Sequence, residues 1–167
     1  VMKMPFEGMT LLDYAINASL VISNIALHKQ DKPGIVLFSN YVSEILKAER
    51  KPSQMNRILE YLYAQKTNFK ESDFEALTIQ VKRQITHRSL LLLFTNFESL
   101  TSMRRQLPYL RKLASVHLLV VILFENTELK ISLERSPQTL EEIYIQSVAE
   151  KFYLEKKLIV KELIQYG

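Results

Sequence analysis

The best place for chemistry in this sequence is the polar end of an apolar run. Residues 90–97 read LLLLFTNF, so Thr95 and Asn96 close a stretch suited to a buried strand. Polar groups at the carboxyl end of a strand in an open α/β sheet face the ligand crevice. The simpler alternative is a strand-to-helix loop in which Thr95 and Asn96 satisfy local backbone groups. Glu71 and Asp73 form a second candidate pair, in the loop before a helical pattern. With Asn96 they would supply the oxygen ligands that a hard divalent cation needs for metal-dependent hydrolysis. Asp73 also reads as a plain helix N-cap.

The other chemistry-bearing residues point away from catalysis. His28, His87 and His117 have no motif around them. The first two fall near helix ends, where a positive side chain is mildly favoured, and His117 precedes a strand. Glu141 and Glu142 lie in a helix's first turn, where capping accounts for them. There is no cysteine, which excludes a thiolate metal site and a cysteine nucleophile. Three glycines in all cannot build a glycine-rich phosphate loop. Neither HExxH nor GxSxG occurs.

These residues need elements to position them. Residues 11–30 have helical periodicity, with Thr10 as N-cap and Asp13 at the positive end. Asp13, Asn17, Asn24 and His28 make one narrow polar stripe, so this helix is expected to be largely buried. The DKPG break at 31–34 precedes a short apolar strand at 35–39. A turn at Asn40 then leads to a strand at 41–46 that pairs antiparallel with the first. Residues 53–63 carry Met55, Ile58, Leu59 and Leu62 at helical spacing, and 66–72 reads as a loop. Asp73 opens a helix with Phe74, Leu77, Val81 and Ile85 on its buried side. The runs 90–94 and 118–124 suit parallel strands covered by helices on both faces. The helix expected at 100–115 contains Pro108, which should kink or break it. TLEE at 139–142 is a capping box opening a long amphipathic helix that reaches about Gln165.

Strand and helix alternate, which implies a doubly wound sheet. Such a sheet begins with a central strand, and here the first element is a helix. A first strand is therefore expected before Val1, in a longer parent. Without it, an exposed sheet edge or slot is expected, and such an edge invites pairing with another chain. The length, 167 residues, fits one domain. The hydrophobic share, 47%, is that of a globular core rather than of a disordered chain. No apolar run reaches the ~18 residues of a membrane span, and no signal peptide is visible. The net charge of +4 is spread over Arg104, Arg105, Arg111 and Lys112, and over Lys156, Lys157 and Lys161. These read as solvated helix faces rather than a nucleic-acid surface.

Four blocks then carry a resemblance: TLLDYAIN at 10–17, KPGIVLFS at 32–39, SDFEAL at 72–77 and RSLLLLFTN at 88–96. In this order and spacing they resemble the bacterial "domain of unknown function 58" family, and they cover the chain nearly end to end. That family is similar to von Willebrand factor A domains and is associated with MoxR-type AAA+ ATPases, chaperones in the assembly or activation of other proteins. The resemblance implies a single von Willebrand A-like domain over 1–167, with a doubly wound, mostly parallel sheet lacking its first strand. It implies a non-catalytic interaction or assembly module whose partner is a MoxR-type ATPase or its client, with no nucleic acid. It places the domain on the cytoplasmic side in bacteria, the parent being anchored through transmembrane helices ahead of it. The crevice would be lined by Thr10, Ser39, Glu71, Ser72, Asp73, Thr95 and Asn96.

Related domains hold a divalent cation through a D-x-S-x-S loop, a Thr and an Asp. The loop is absent from this chain, Ser72 and Asp73 fall near the Thr position, and Asn96 replaces the Asp. The resemblance thus implies a degenerate metal site at Ser72, Asp73 and Asn96. No cofactor is expected, since a site so short of ligands holds Mg²⁺ weakly at most.

Overall fold

A computed structural model describes residues 5–6, 8–63, 72–125 and 139–166. Glu71 and most of the 66–72 segment lie outside the described residues. The elements are β1 (Pro5–Phe6), β2 (Met9–Thr10), α1 (Leu11–His28), β3 (Ile35–Phe38), β4 (Val42–Leu46) and α2 (Gln54–Tyr63). They continue with α3 (Phe74–Gln84), β5 (Leu90–Thr95), α4 (Leu100–Ala114), β6 (Leu118–Leu123) and α5 (Leu140–Gln165). The fold is mixed α/β, with five helices and three two-stranded sheets among the described residues. β1–β2 and β3–β4 are antiparallel, and β5–β6 is parallel.

Local signals set the helix starts. The Thr10 hydroxyl accepts the Asp13 amide, and the Asp13 carboxylate accepts from the Thr10 amide and hydroxyl at 2.8 and 2.7 Å. This reciprocal box satisfies amides that have no intrahelical partner. α1 ends at His28, and two residues on Gln30 takes a left-handed φ of 66°. Thr139 accepts from the Glu142 amide at the start of α5.

The β3–β4 hairpin is apolar on both faces because it is covered on both. Ile35, Leu37 and Leu46 pack with Ile58 and Leu62 of α2 and with Ile16 and Leu20 of α1. The alternate residues Val36, Phe38 and Val42 join the main core of Phe74, Leu77, Val81, Leu93, Met103 and Leu110. Gln54, fully buried, ties the open end of the hairpin to α2: its Nε2 donates to Pro33 O and Lys47 O, both at 2.9 Å. At the same end Gly34 leaves no room for a side chain. A Cβ there would lie 2.7 Å from Leu46 O and 2.9 Å from Ala48 N, both backbone atoms. Gly34→Ala is therefore expected to cost about 1–3 kcal/mol by forcing the strands apart. Urea melts check this, and an unchanged midpoint would show that the hairpin end yields freely.

The β5–β6 pair differs from expectation. Leu91, Leu93, Leu119 and Val121 face the core. The register aligns Leu90 with Leu118, Leu92 with Val120 and Phe94 with Ile122 on the opposite face. That face is open at its start, where Leu90 is 58% exposed, Leu118 57% and Val120 41%, while Leu92, Phe94 and Ile122 are half-buried. Among the described residues, helices cover one face of this pair rather than two. α1 is likewise less buried than expected. Leu11, Ala15 and Ser23 are buried, whereas Val21, Ile22 and Ile25 are exposed, because among the described residues α1 packs chiefly on the hairpin and α2. By length and composition α1 also meets the test for a membrane span, one that core helices of other proteins pass too. Pro108 does not end α4, which is assigned continuously through it. Its exposed position lets water satisfy the carbonyl that loses its amide partner.

α5 runs beside α4 through its second half. Arg104 donates to Glu162 through Nε and Nη2 at 2.9–3.1 Å, and Glu155 accepts the Leu100 amide. Hydrogen bonding from Arg104 holds the Glu162 carboxyl below its usual pKa, and Thr10 does the same for Asp13. Both folded values are depressed. Their stabilisation is complete above the unfolded carboxylate pKa and is lost as pH falls through the folded values. Thermal melts are expected to show Tm falling below about pH 5. An Asp13→Asn, Glu162→Gln variant should show a shallower fall, and an identical profile would contradict the assignment.

Candidate functional site

Three aromatic rings bring the chain segments of the site together. Phe38 ends β3, Phe74 starts α3 and Phe97 follows β5. Phe74 packs edge-on to Phe38 at 5.4 Å and stacks on Phe97 at 5.9 Å. The residue beside each ring is one the sequence singles out: Ser39 after Phe38, Asp73 before Phe74 and Asn96 before Phe97. The rings thus join the three segments that carry these polar residues.

The backbone locks this arrangement. The Asp73 amide donates to Ser39 O at 2.7 Å, joining the hairpin turn to the start of α3. Asp73 is the N-cap, with Oδ1 accepting the Ala76 amide at 2.9 Å. Part of its carboxylate is therefore occupied by capping. Ser72 and Asp73 line an open cleft of about 420 Å³ with Asn40, Glu75, Arg105 and Tyr109. The Tyr109 hydroxyl donates to Glu75 Oε2 at 3.1 Å, and this bond to a carboxylate raises the phenol's pKa.

Thr95 and Asn96 do not line this cleft. Thr95 is buried on the core side. Asn96 buries its Nδ2 without a hydrogen-bond partner. Ser39 joins through its carbonyl. Thr10 is engaged with Asp13 in the helix cap, and no contact ties it to the cleft. Glu71 lies outside the described residues. The structure therefore puts Ser72 and Asp73 in one cleft, ties Ser39 to them through its carbonyl, and does not place Thr10, Thr95 or Asn96 on the cleft's lining.

Sequence reasoning missed Asn40, Glu75, Arg105 and Tyr109. Arg105 and Tyr109 share one face of α4 four residues apart, a signal present in the sequence. Their meeting with Glu75 depends on how α3 and α4 pack, which local spacing does not encode. The histidines serve local structure. His117 is buried and its Nδ1 accepts the Ser89 amide at 3.3 Å, beside the bond from the Leu118 amide to Ser89 O. His28 Nδ1 lies 2.8 Å from Asn24 O.

No group of three or more His, Asp or Glu side chains placed to hold a metal occurs among the described residues. Compared with protein-family models, with curated proteins and with solved structures, the chain matches none. The family resemblance therefore rests on the four sequence blocks alone.

Proposed function

We propose that this chain is a von Willebrand A-like domain of doubly wound design that works as a non-catalytic interaction or assembly module. The partner in this reading is a MoxR-type AAA+ ATPase or the client that it acts upon. The observation that carries it is the packing of Phe38, Phe74 and Phe97, which joins the three segments that bear Ser39, Asp73 and Asn96. Strand ends at such a place are where α/β sheets bind their ligands. The cleft beside it offers mixed charge, with Asp73 and Glu75 facing Arg105, on a rigid base. Mixed polar groups over a fixed aromatic base suit the recognition of a protein surface. The test is binding of a purified MoxR-type ATPase from the same organism to this chain. Absence of binding at concentrations of about 100 μM would count against it.

The metal-dependent hydrolase is the second reading, and what favours it is that the oxygen-bearing Ser72 and Asp73 line one open cleft. It requires a cation held by Ser72, Asp73 and Asn96. Calorimetric titration with Mg²⁺ and Mn²⁺ separates the two readings. Heat at micromolar metal that vanishes in Asp73→Ala supports hydrolysis, and no heat at millimolar metal removes it.

A further inference from the structure

One end of the molecule carries most of its positive charge. Residues 76–124 contain seven Lys and Arg and a single acid, Glu98, a balance of +6 in a chain whose total is +4. The fold collects five of these cations at one place. α3 closes on Lys82 and Arg83, and the chain runs on through His87 and Arg88 into β5. α4 closes on Arg111 and Lys112, and the chain runs on through Val116 into β6. β5 and β6 are parallel and start in register, Leu90 beside Leu118. Just ahead of them the Ser89 amide donates to His117 Nδ1, and the Leu118 amide donates to Ser89 O. The last turns of both helices therefore meet at the amino end of the strand pair. α5 ends there too, with the Arg111 guanidinium 5.3 Å from the centre of the Tyr166 ring. Glu98 lies past the carboxyl end of β5, at the other end. So do Ser72, Glu125 and Thr139, which border the undescribed stretches 64–71 and 126–138. Among the described residues none of the five cations is in a salt bridge.

The helix dipole favours cations in a last turn. It explains neither the near-absence of acids over these residues nor the large apolar side chains exposed among the cations. Leu90 is 58% exposed, Leu118 57% and Val116 48%. Ile164 and Tyr166 are exposed at the close of α5. Cations around exposed aliphatic groups, with a tyrosine beside them, match the boundary of an anionic bilayer. There, phosphates meet the cations and the acyl boundary takes the aliphatic side chains. A nucleic acid would match the charge alone, because Leu90, Val116 and Leu118 offer its bases neither a stacking ring nor a hydrogen bond.

We propose that the amino end of the β5–β6 pair, with the closing turns of α3 and α4, is a docking surface for an anionic lipid bilayer. Lys82, Arg83, Arg88, Arg111 and Lys112 meet the headgroup phosphates, and Leu90, Val116 and Leu118 enter between the headgroups. The contact is peripheral, set by charge attraction and by the apolar area buried. The cleft at Asp73 lies by the start of α3, at the opposite end, and stays open to solvent on the docked molecule. The docking surface stands whether or not that cleft binds a partner.

The test mixes the full chain with vesicles of equal parts phosphatidylglycerol and phosphatidylcholine, and with vesicles of phosphatidylcholine alone. Bound protein is measured by co-sedimentation. Affinity for the anionic vesicles is expected to be at least about tenfold higher. Each cation near an anionic surface is worth roughly a fivefold change in affinity, so Arg83→Glu with Arg88→Glu should weaken binding by about tenfold or more. Lys151→Glu with Lys157→Glu changes the net charge equally, away from the docking surface, and should leave affinity within about twofold. Leu90→Ser with Val116→Ser keeps every charge and should still weaken binding about tenfold. All six substituted positions are exposed, so circular dichroism and melting should stay as in the parent chain. The proposal is overturned by equal binding to both vesicles or binding to neither, by equal losses in the two charge-reversal pairs, or by full affinity in the serine pair. Tighter binding of a duplex DNA oligonucleotide than of the anionic vesicles would overturn it as well.

Discussion

Phe74→Ala is expected to lower the free energy of unfolding by about 3–5 kcal/mol, the largest effect of any single truncation at the site. The ring is 4% exposed and lies in the main core cluster. Truncation removes its buried apolar surface and leaves a cavity that close-packed neighbours fill only in part. It also deletes the edge contact with Phe38 and the stack with Phe97, each aromatic pair being worth about 0.5–1.5 kcal/mol beyond area burial. Because the same ring holds Ser39, Asp73 and Asn96 in place, loss of stability and loss of the site's geometry should occur together. Phe74→Leu keeps most of the volume and should recover most of the stability but not the stacking. Urea denaturation of the three proteins measures this series, and a loss under about 1 kcal/mol for alanine would show that the ring is not central.

Gln54→Leu is expected to cost about 2 kcal/mol, with its effect confined to the hairpin and α2. The substitution keeps side-chain volume but strips Pro33 O and Lys47 O of their donor. Each buried acceptor left unpaired costs about 1–3 kcal/mol. Part of this is offset, because Gln54 Oε1 is itself buried without a partner and disappears with the change. Hydrogen exchange separates this variant from Phe74→Ala. Amides of β3 and β4 should exchange faster while those of β5 and β6 keep their protection. Uniform acceleration throughout would mean that the two clusters unfold as one unit.

Legibility in the sequence followed the range of the interactions. Thr10, Asp73 and Thr139 were readable as caps because a cap needs only the next few residues. The hairpin, the parallel pair and the buried side of α3 were readable from periodicity, apart from Ile85, which is only partly buried. Burial of whole elements was not. An apolar helix such as α1 looks buried by composition, and only tertiary packing shows that Val21 and Ile25 stay exposed. The same holds for Leu90 and Leu118, whose apolar character matches a face that no described helix covers. Asp73 and Asn96 were singled out by their place next to a helix start and a strand end, and Ser72 through the family resemblance. Glu75, Arg105 and Tyr109 were missed because the approach of α3 to α4 brings them together. The Thr10 hydroxyl is engaged in the helix cap, a role visible locally in the sequence.

Titration of a purified MoxR-type ATPase from the same organism into this chain, followed by calorimetry, tests the central claim most directly. A parallel titration uses the variant Ser72→Arg, which places a bulky charge at the cleft without touching the aromatic rings. The interaction reading predicts saturable binding that weakens at least about tenfold in the variant, with unchanged circular dichroism and unchanged melting. Equal affinity for both proteins, or no binding to either, would contradict it.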